Sequence, residues 1–307
     1  MEFKHYRFYT ADIFTDRVFG GNQLAVLIDA QGLSTEQMQQ IAREFNLSET
    51  AFVLPAQTPG HDRRLRIFTP RVELPFAGHP TVGTAYVLAA TGEISLTGEE
   101  TTIVLEEEVG AIAVKIRAEG GKPVYSELSA AKMPEFGAAP PSIEALAAVL
   151  SLETTDFLAD GEVQAVSCGV PFLFVPLRDR SVLQRVQLNR EKWQQVLADY
   201  WAPHVYVFTD DTELRGSNVR SRMFAPALGV DEDPATGAAA TALAGYLGSR
   251  RDETNGTLRW VVEQGWEMGR PSLLQVEADK QDGDIVAIRV GGSSVLVSQG
   301  AIAVPFS

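Results

Sequence analysis

The stretch "ELPFAGHPTVGTAYVL", residues 73–88, decides how this chain folds. No formal charge occurs from Leu74 to Gly92; the polar positions hold only His and Thr, with Gly and Pro among the apolar residues. The segment opens like a turn and continues like a helix without a polar face. A helix that is hydrophobic on every side has to be buried on every side. A second stretch of this kind, "GAAATALAGYLG" (237–248), lies in the other half of the chain.

Working outward from these two helices, the chain reads twice. "RIFTP" (66–70) precedes the first and "RMFAP" (222–226) the second. Upstream, "LSTEQMQQIAREF" (33–45) lines up with "LNREKWQQVLADY" (188–200), which predicts amphipathic helices over 35–45 and 189–200. Further upstream, "GNQLAVLI" (21–28) stands opposite "GVPFLFVP" (169–176). Four matches in one order at nearly one offset indicate a duplicated fold. The Gly- and Pro-rich stretch 119–142 separates the copies, and "APPS" precedes a helix pattern at 143–150. The expected domains are therefore 1–120 and 121–294, with the strands near 295–307 open to joining the first. The segment 284–305 reads as strands around a Gly-Gly turn, and pattern alone does not decide which domain they complete. In domains otherwise made of strands, an all-apolar helix is buried by a sheet that curls around it. The expected fold class is α+β, with two pseudo-symmetric domains, each a mixed β-barrel wrapped around a central helix.

Composition narrows the function. A formal net charge of -14 argues against a general nucleic-acid binder, which needs Lys and Arg to neutralise phosphates. One cysteine, Cys168, permits no intrachain disulfide and argues against a cysteine metal cluster. Its setting, "VSCGVPFLFV", predicts a buried small hydrophobe on a strand. The N-terminal "MEFKHYRFYTADIF" shows no basic leader followed by an apolar run, and no apolar run reaches membrane-spanning length. A cytoplasmic protein is expected, with neither membrane nor nucleic acid as partner. Four scattered histidines argue against a His-rich metal site, and no metal is expected.

Chemistry is expected at the helix entrances, where unpaired N–H groups and the positive dipole end attract anions. The first entrance is Ala77-Gly78-His79-Pro80, with Pro80 suited to the first helical position and Gly78 open to close ligand approach. The second is "DEDPATGAAA" (231–240), where Asp233 precedes Pro234 and Gly237 opens the helix. If the halves pack by a two-fold relation, both entrances face one cleft. His79 read alone is a packing or capping residue, and Asp233 read alone is an N-cap; the chargeless setting of Gly-His-Pro favours a ligand role. Glu49, in "NLSETAFVLP" (46–55), enters an apolar strand, and partial desolvation there would raise its pKa toward the range of proton transfer.

"NLSETAFVLP", "RIFTPRVELPFAGHPTVGTAYVL" (66–88), "VDEDPATGAAATALAGYL" (230–247) and "EQGWEMGRPS" (263–272) resemble signatures of the PhzF-like (phenazine biosynthesis) family of the diaminopimelate epimerase-like superfamily. The resemblance begins at "DIFTDRVFGGNQLAVL" (12–27) and covers nearly the whole chain. It implies two barrels with an active site in the cleft between them, isomerisation without a cofactor, and a homodimer. It also implies Glu49 as the acid/base, His79 as the family's conserved histidine and Asp233 as its aspartate. Gly78, Gly237 and Ala238 fall at the implied substrate-binding positions. Ala238 stands where the family often has Ser, and Gln23 where Gly-Asn-Pro is usual. A single Cys excludes the two-cysteine racemisation of the superfamily. The expected activity is acid/base isomerisation of a small carboxylate. A metabolite-binding protein that kept the cleft without turnover is the alternative, and hydrolysis by paired carboxylates a weaker third.

Overall fold

The computed structural model describes residues 2–305. The chain forms two compact units, one running to Ser129 and taking back the chain from Gly291, the other Ala130–Val290.

The first unit contains β1 (Phe3–Ile13), β2 (Asn22–Leu27), α1 (Thr35–Phe45), β3 (Glu49–Leu54), β4 (Arg63–Phe68), β5 (Glu73–Leu74), α2 (Gly78–Ala90), β6 (Glu100–Glu107), β7 (Gly110–Glu119) and β8 (Lys122–Ser129). The second contains β9 (Glu135–Phe136), α3 (Ile143–Leu150), β10 (Gln164–Ser167), β11 (Pro171–Pro176), α4 (Arg180–Arg185), α5 (Arg190–Val196), β12 (His204–Thr209), β13 (Val219–Ala225), β14 (Val230–Asp233), α6 (Gly237–Gly248), β15 (Gly256–Gln264), β16 (Ser272–Gln281) and β17 (Asp284–Gly292). β18 (Ser294–Pro305) returns to the first unit, where Phe3 pairs with Pro305. β8 carries that unit past residue 120, because it pairs with β7 across the Gly120-Gly121 turn.

In the first unit the ladder runs β18–β1–β2–β3–β4–β6–β7–β8. Both end strands, β8 and β18, pack on α2, as do β1, β2, β3 and β7, so the sheet curls around the helix. This is why α2 carries no charge: its only residues not fully buried are Tyr86 and Ala90. In the second unit the ladder is β9–β10–β11–β12–β13–β15–β16, and α6 packs on β10, β11, β15 and β16.

The order of pairings repeats. β2–β3 and β11–β12 are parallel, β3–β4 and β12–β13 antiparallel. β4 then pairs antiparallel with the short β5 and parallel with β6; β13 does the same with β14 and β15. α1 follows its sequence signal: Ser34 and Gln37 form a capping box, and Met38, Ile41 and Ala42 pack with Phe52 and Phe68. The other amphipathic helix is shorter than 189–200. α5 covers Arg190–Val196, because Leu197 closes it and the Tyr200 N–H bonds back to the Leu197 carbonyl. Cys168 lies just past β10 and is only partly buried, so it is not the core strand residue expected; its surroundings still push the thiol up to about 12.

Gly21 joins β1 to β2 at φ 60, and a Cβ there would meet the Ile13 carbonyl oxygen. A left-handed backbone costs a non-glycine residue roughly 1–2 kcal/mol before any clash. Gly21→Ala is expected to destabilise the first unit by about 1–3 kcal/mol, seen as a lower urea midpoint by circular dichroism with the slope unchanged.

Candidate active site

Glu49 opens β3 where the chain leaves α1 through Asn46, which is held left-handed at φ 51. His79 is the second residue of α2. These side chains, 30 positions apart, meet: His79 Nε2 lies 3.2 Å from Glu49 Oε2. The side chain of His79 is 6% exposed and that of Glu49 16%. On its other side the ring faces β2, with Nδ1 3.3 Å from the Asn22 side-chain amide. Burial pushes His79 down to about 3, and a backbone hydrogen bond at Gln23 opposes this only in part. The ring is therefore neutral around pH 7, with one nitrogen donating and the other accepting. A carboxylate and an imidazole in such contact form a favourable pair only with a proton between them.

α2 begins at Gly78 with Ala77 as its cap, so Pro80 occupies the third helical position and not the first. The difference is small in energy, since none of the first four N–H groups has a partner inside the helix. Ala77 contributes no capping side chain. The N–H groups of Gly78 and His79 thus lead the dipole of the helix with no side chain of the cap on them.

In the second unit, Asp233 ends β14 and is 8% exposed. It does not cap α6. Thr236 holds that position, and its hydroxyl donates to Asp233 Oδ2 at 2.5 Å, which leaves α6 without a side-chain cap. Gln264 at the end of β15 fastens the loop: its Nε2 donates to the Asp233 carbonyl at 2.8 Å and to Thr236 Oγ1 at 3.0 Å, and its Oε1 accepts from the Thr236 N–H at 3.2 Å. Ser272 donates to the Pro234 carbonyl at 3.0 Å. Gly265, at φ 83, leaves no room for a Cβ against the Pro234 carbonyl. The stretch 263–272 thus frames Asp233-Pro234 and the entrance at Gly237-Ala238.

The sequence pointed to Glu49, His79, Gly78, Asp233, Gly237 and Ala238. Asn22, Gln23, Thr236 and Gln264 were not assigned roles, though all four fall inside the quoted signatures. Among the described residues, no group of three or more His, Cys, Asp or Glu is arranged for a metal ion. No helix among them is long and apolar enough to cross a membrane.

The family model described as Phenazine biosynthesis-like protein matches residues 11–300. An uncharacterised isomerase of Mesorhizobium japonicum is 39% identical, over 98% of this chain and 99% of that protein. The trans-2,3-dihydro-3-hydroxyanthranilate isomerase of Pseudomonas aeruginosa is 35% identical, over 96% of this chain and 98% of its own. The crystal structure of the PhzF-family phenazine biosynthesis protein of Bacillus anthracis superposes with a TM-score of 0.89 at 26% identity, covering 97% of this chain and 99% of that one.

Proposed function

The chain belongs to the phenazine biosynthesis-like protein family and is an isomerase, and on that premise we propose that it shifts a proton within a small carboxylate-bearing metabolite without a cofactor. The observation that carries this reading is the 3.2 Å approach of Glu49 to a buried, neutral His79. In the proposed reaction, ionised Glu49 takes a proton from a substrate carbon and returns it to a second atom of the same molecule. Neutral His79, 3.2 Å away, shares a proton with the Glu49 carboxyl and so holds it in place through the two transfers. The substrate carboxylate lies against the uncapped N–H groups at Gly78. Asp233, with Gly237 and Ala238, forms the topological counterpart at the second central helix.

Two pseudo-symmetric barrels, each around its own helix, are part of the same reading, supported by the repeated order of strand pairing. Ala238 offers no hydroxyl where the resemblance expects Ser, so the substrate of this chain is left open to compounds other than the one named for the Pseudomonas relative.

The test incubates the protein in D₂O with trans-2,3-dihydro-3-hydroxyanthranilate and a panel of amino- and hydroxy-carboxylates. Deuterium entering a carbon of one of them, followed by NMR, supports the proposal. Tight binding by calorimetry with no exchange in any panel member would overturn it and leave a binding protein.

A further inference from the structure

Glu107 ends β6 inside the curled sheet, on the face that also buries Thr101, Ile103 and Leu105. It has no place in the chemistry above. Its residue is 8% exposed, and no cation among the described residues stands within ion-pair distance of it. Oε1 lies 2.6 Å from Thr81 Oγ1, and Oε2 is buried with no hydrogen-bond partner. Thr81 sits in the first turns of α2, two positions after His79.

The hydrogen-bond count at Thr81 is decisive. Thr81 Oγ1 is also 2.7 Å from the carbonyl oxygen of Ala77, the cap of α2. A hydroxyl has one proton to give, and a carbonyl can only accept. If Thr81 donates to Ala77, the short contact with Glu107 is a hydrogen bond only when Glu107 donates. Both bonds exist together only with Glu107 protonated. An ionised Glu107 would draw the hydroxyl proton to itself and leave the Ala77 carbonyl with only the longer 3.3 Å bond from the Thr81 N–H.

We propose that Glu107 is a positioning residue, kept neutral in the folded protein, whose O–H bond to Thr81 lets Thr81 clamp Ala77 and so fixes the entrance of the helix that carries Gly78 and His79. The proposal rests on the reading of that entrance as part of the active site, and its test does not depend on turnover.

Burial pushes Glu107 up to about 8, even though the Thr81 hydroxyl could turn to favour its ionised form. Such a group stabilises the fold fully below the ordinary carboxylate range, and this contribution is lost as pH rises through about 8. Arg66, His61 and Lys115 around it are engaged elsewhere. A cavity of about 460 Å³ beside Glu107 brings in His61 and Glu106, Arg64 and Arg66 of β4, Glu73 of β5, and Glu108. Arg66 grips Glu73 with two bonds of 2.6 Å, and His61 meets Glu106 at 2.9 Å. Backbone N–H groups of Gln57 and Thr58 hold Glu106 down to about 2. On α2, His79 is neutral. On β7, Lys115 and Arg117 alternate with the buried positions, and Lys115 pairs with Glu127 of β8 at 3.5 Å.

The experiment is a pH titration of the full protein, free of substrate, by NMR. The side-chain carboxyl carbon of Glu107 is assigned by its loss in Glu107→Gln, and the amide of Gly78 is followed in parallel. The expected result is a Glu107 midpoint above pH 7, with the Gly78 amide shifting at the same midpoint. In Glu107→Gln, whose amide can still donate to Thr81, the Gly78 amide keeps its low-pH position and loses that step. A Glu107 that titrates in the ordinary carboxylate range would overturn the proposal. So would a Gly78 amide indifferent to its titration, or an unchanged Gly78 step in Glu107→Gln. Because no substrate is present, failure of the isomerase reading leaves this result standing, and the reverse also holds.

Discussion

Glu49→Gln is expected to lower turnover by roughly 10²–10⁴-fold on the panel substrate that exchanges with D₂O, the usual size of one general acid–base contribution. At 1.36 kcal/mol per tenfold, that is about 3–5 kcal/mol of transition-state stabilisation. The variant keeps the shape of the side chain and can still hydrogen-bond to His79 Nε2, now 3.2 Å from Glu49 Oε2, so the thermal midpoint should barely move. A loss in kcat with KM nearly unchanged is the expected split, because substrate binding falls to the helix entrance and the proton transfer to Glu49. The pH profile adds a check. His79 is held down to about 3, so it contributes no step between pH 5 and 8. Any activity limb in that interval that belongs to the proton shuttle should vanish from the residual rate of Glu49→Gln. Near-normal turnover in the variant would remove Glu49 from the mechanism.

The pairing of Glu49 with His79 was accessible from sequence only through motifs, since 30 positions separate residues that β3 and α2 bring together. The central helices were accessible for a simpler reason: a run without charge has nowhere to lie but inside a sheet. The destination of the last strand was not, because its partner, β1, is at the opposite end of the chain. Helix limits missed by a few residues where local signals compete. Pro80 satisfies a first or a third helical position equally well, and the second amphipathic pattern continues past the residue where the backbone turns at Leu197. Asp233 illustrates a different limit. Asp233 and Thr236 both carry side chains that could cap α6, and they cannot be ranked until Gln264 arrives from β15 to take up Thr236. Glu107 hid within the run "EEE" (106–108), which reads as a solvated turn. The period-two burial of Thr101, Ile103 and Leu105 nonetheless carries the inward phase onto Glu107.

Arg222→Ala should destabilise the second unit by about 3–5 kcal/mol. Arg222, on β13, is 8% exposed and makes four bonds at once. Its Nε and Nη2 hold Glu232 of β14 in a fork at 2.8 and 2.9 Å, while Nη1 donates to the Leu183 carbonyl at 3.0 Å and the Val186 carbonyl at 2.9 Å at the end of α4. Truncation leaves a part-buried carboxylate and two carbonyls without this donor, which costs far more than the net worth of the intact pair. The backbone offers little compensation, since β14 pairs with β13 only at Asp233–Met223 and Val230–Ala225 with an irregularity between them. Glu232 is therefore the main side-chain anchor of the strand that ends in Asp233. Arg222→Lys should recover only part of the loss, because an ammonium cannot reproduce the planar fork. The readout is selective: all four tryptophans, Trp193, Trp201, Trp260 and Trp266, lie in the second unit. Urea unfolding followed by tryptophan fluorescence should shift strongly in Arg222→Ala and hardly at all in Gly21→Ala. The double variant Arg222→Leu with Glu232→Leu should cost less than the sum of the single changes, since it removes the stranded charge along with its partner. Additive losses would mean that the two side chains stabilise the unit independently, and that β14 is held in place by something other than this fork.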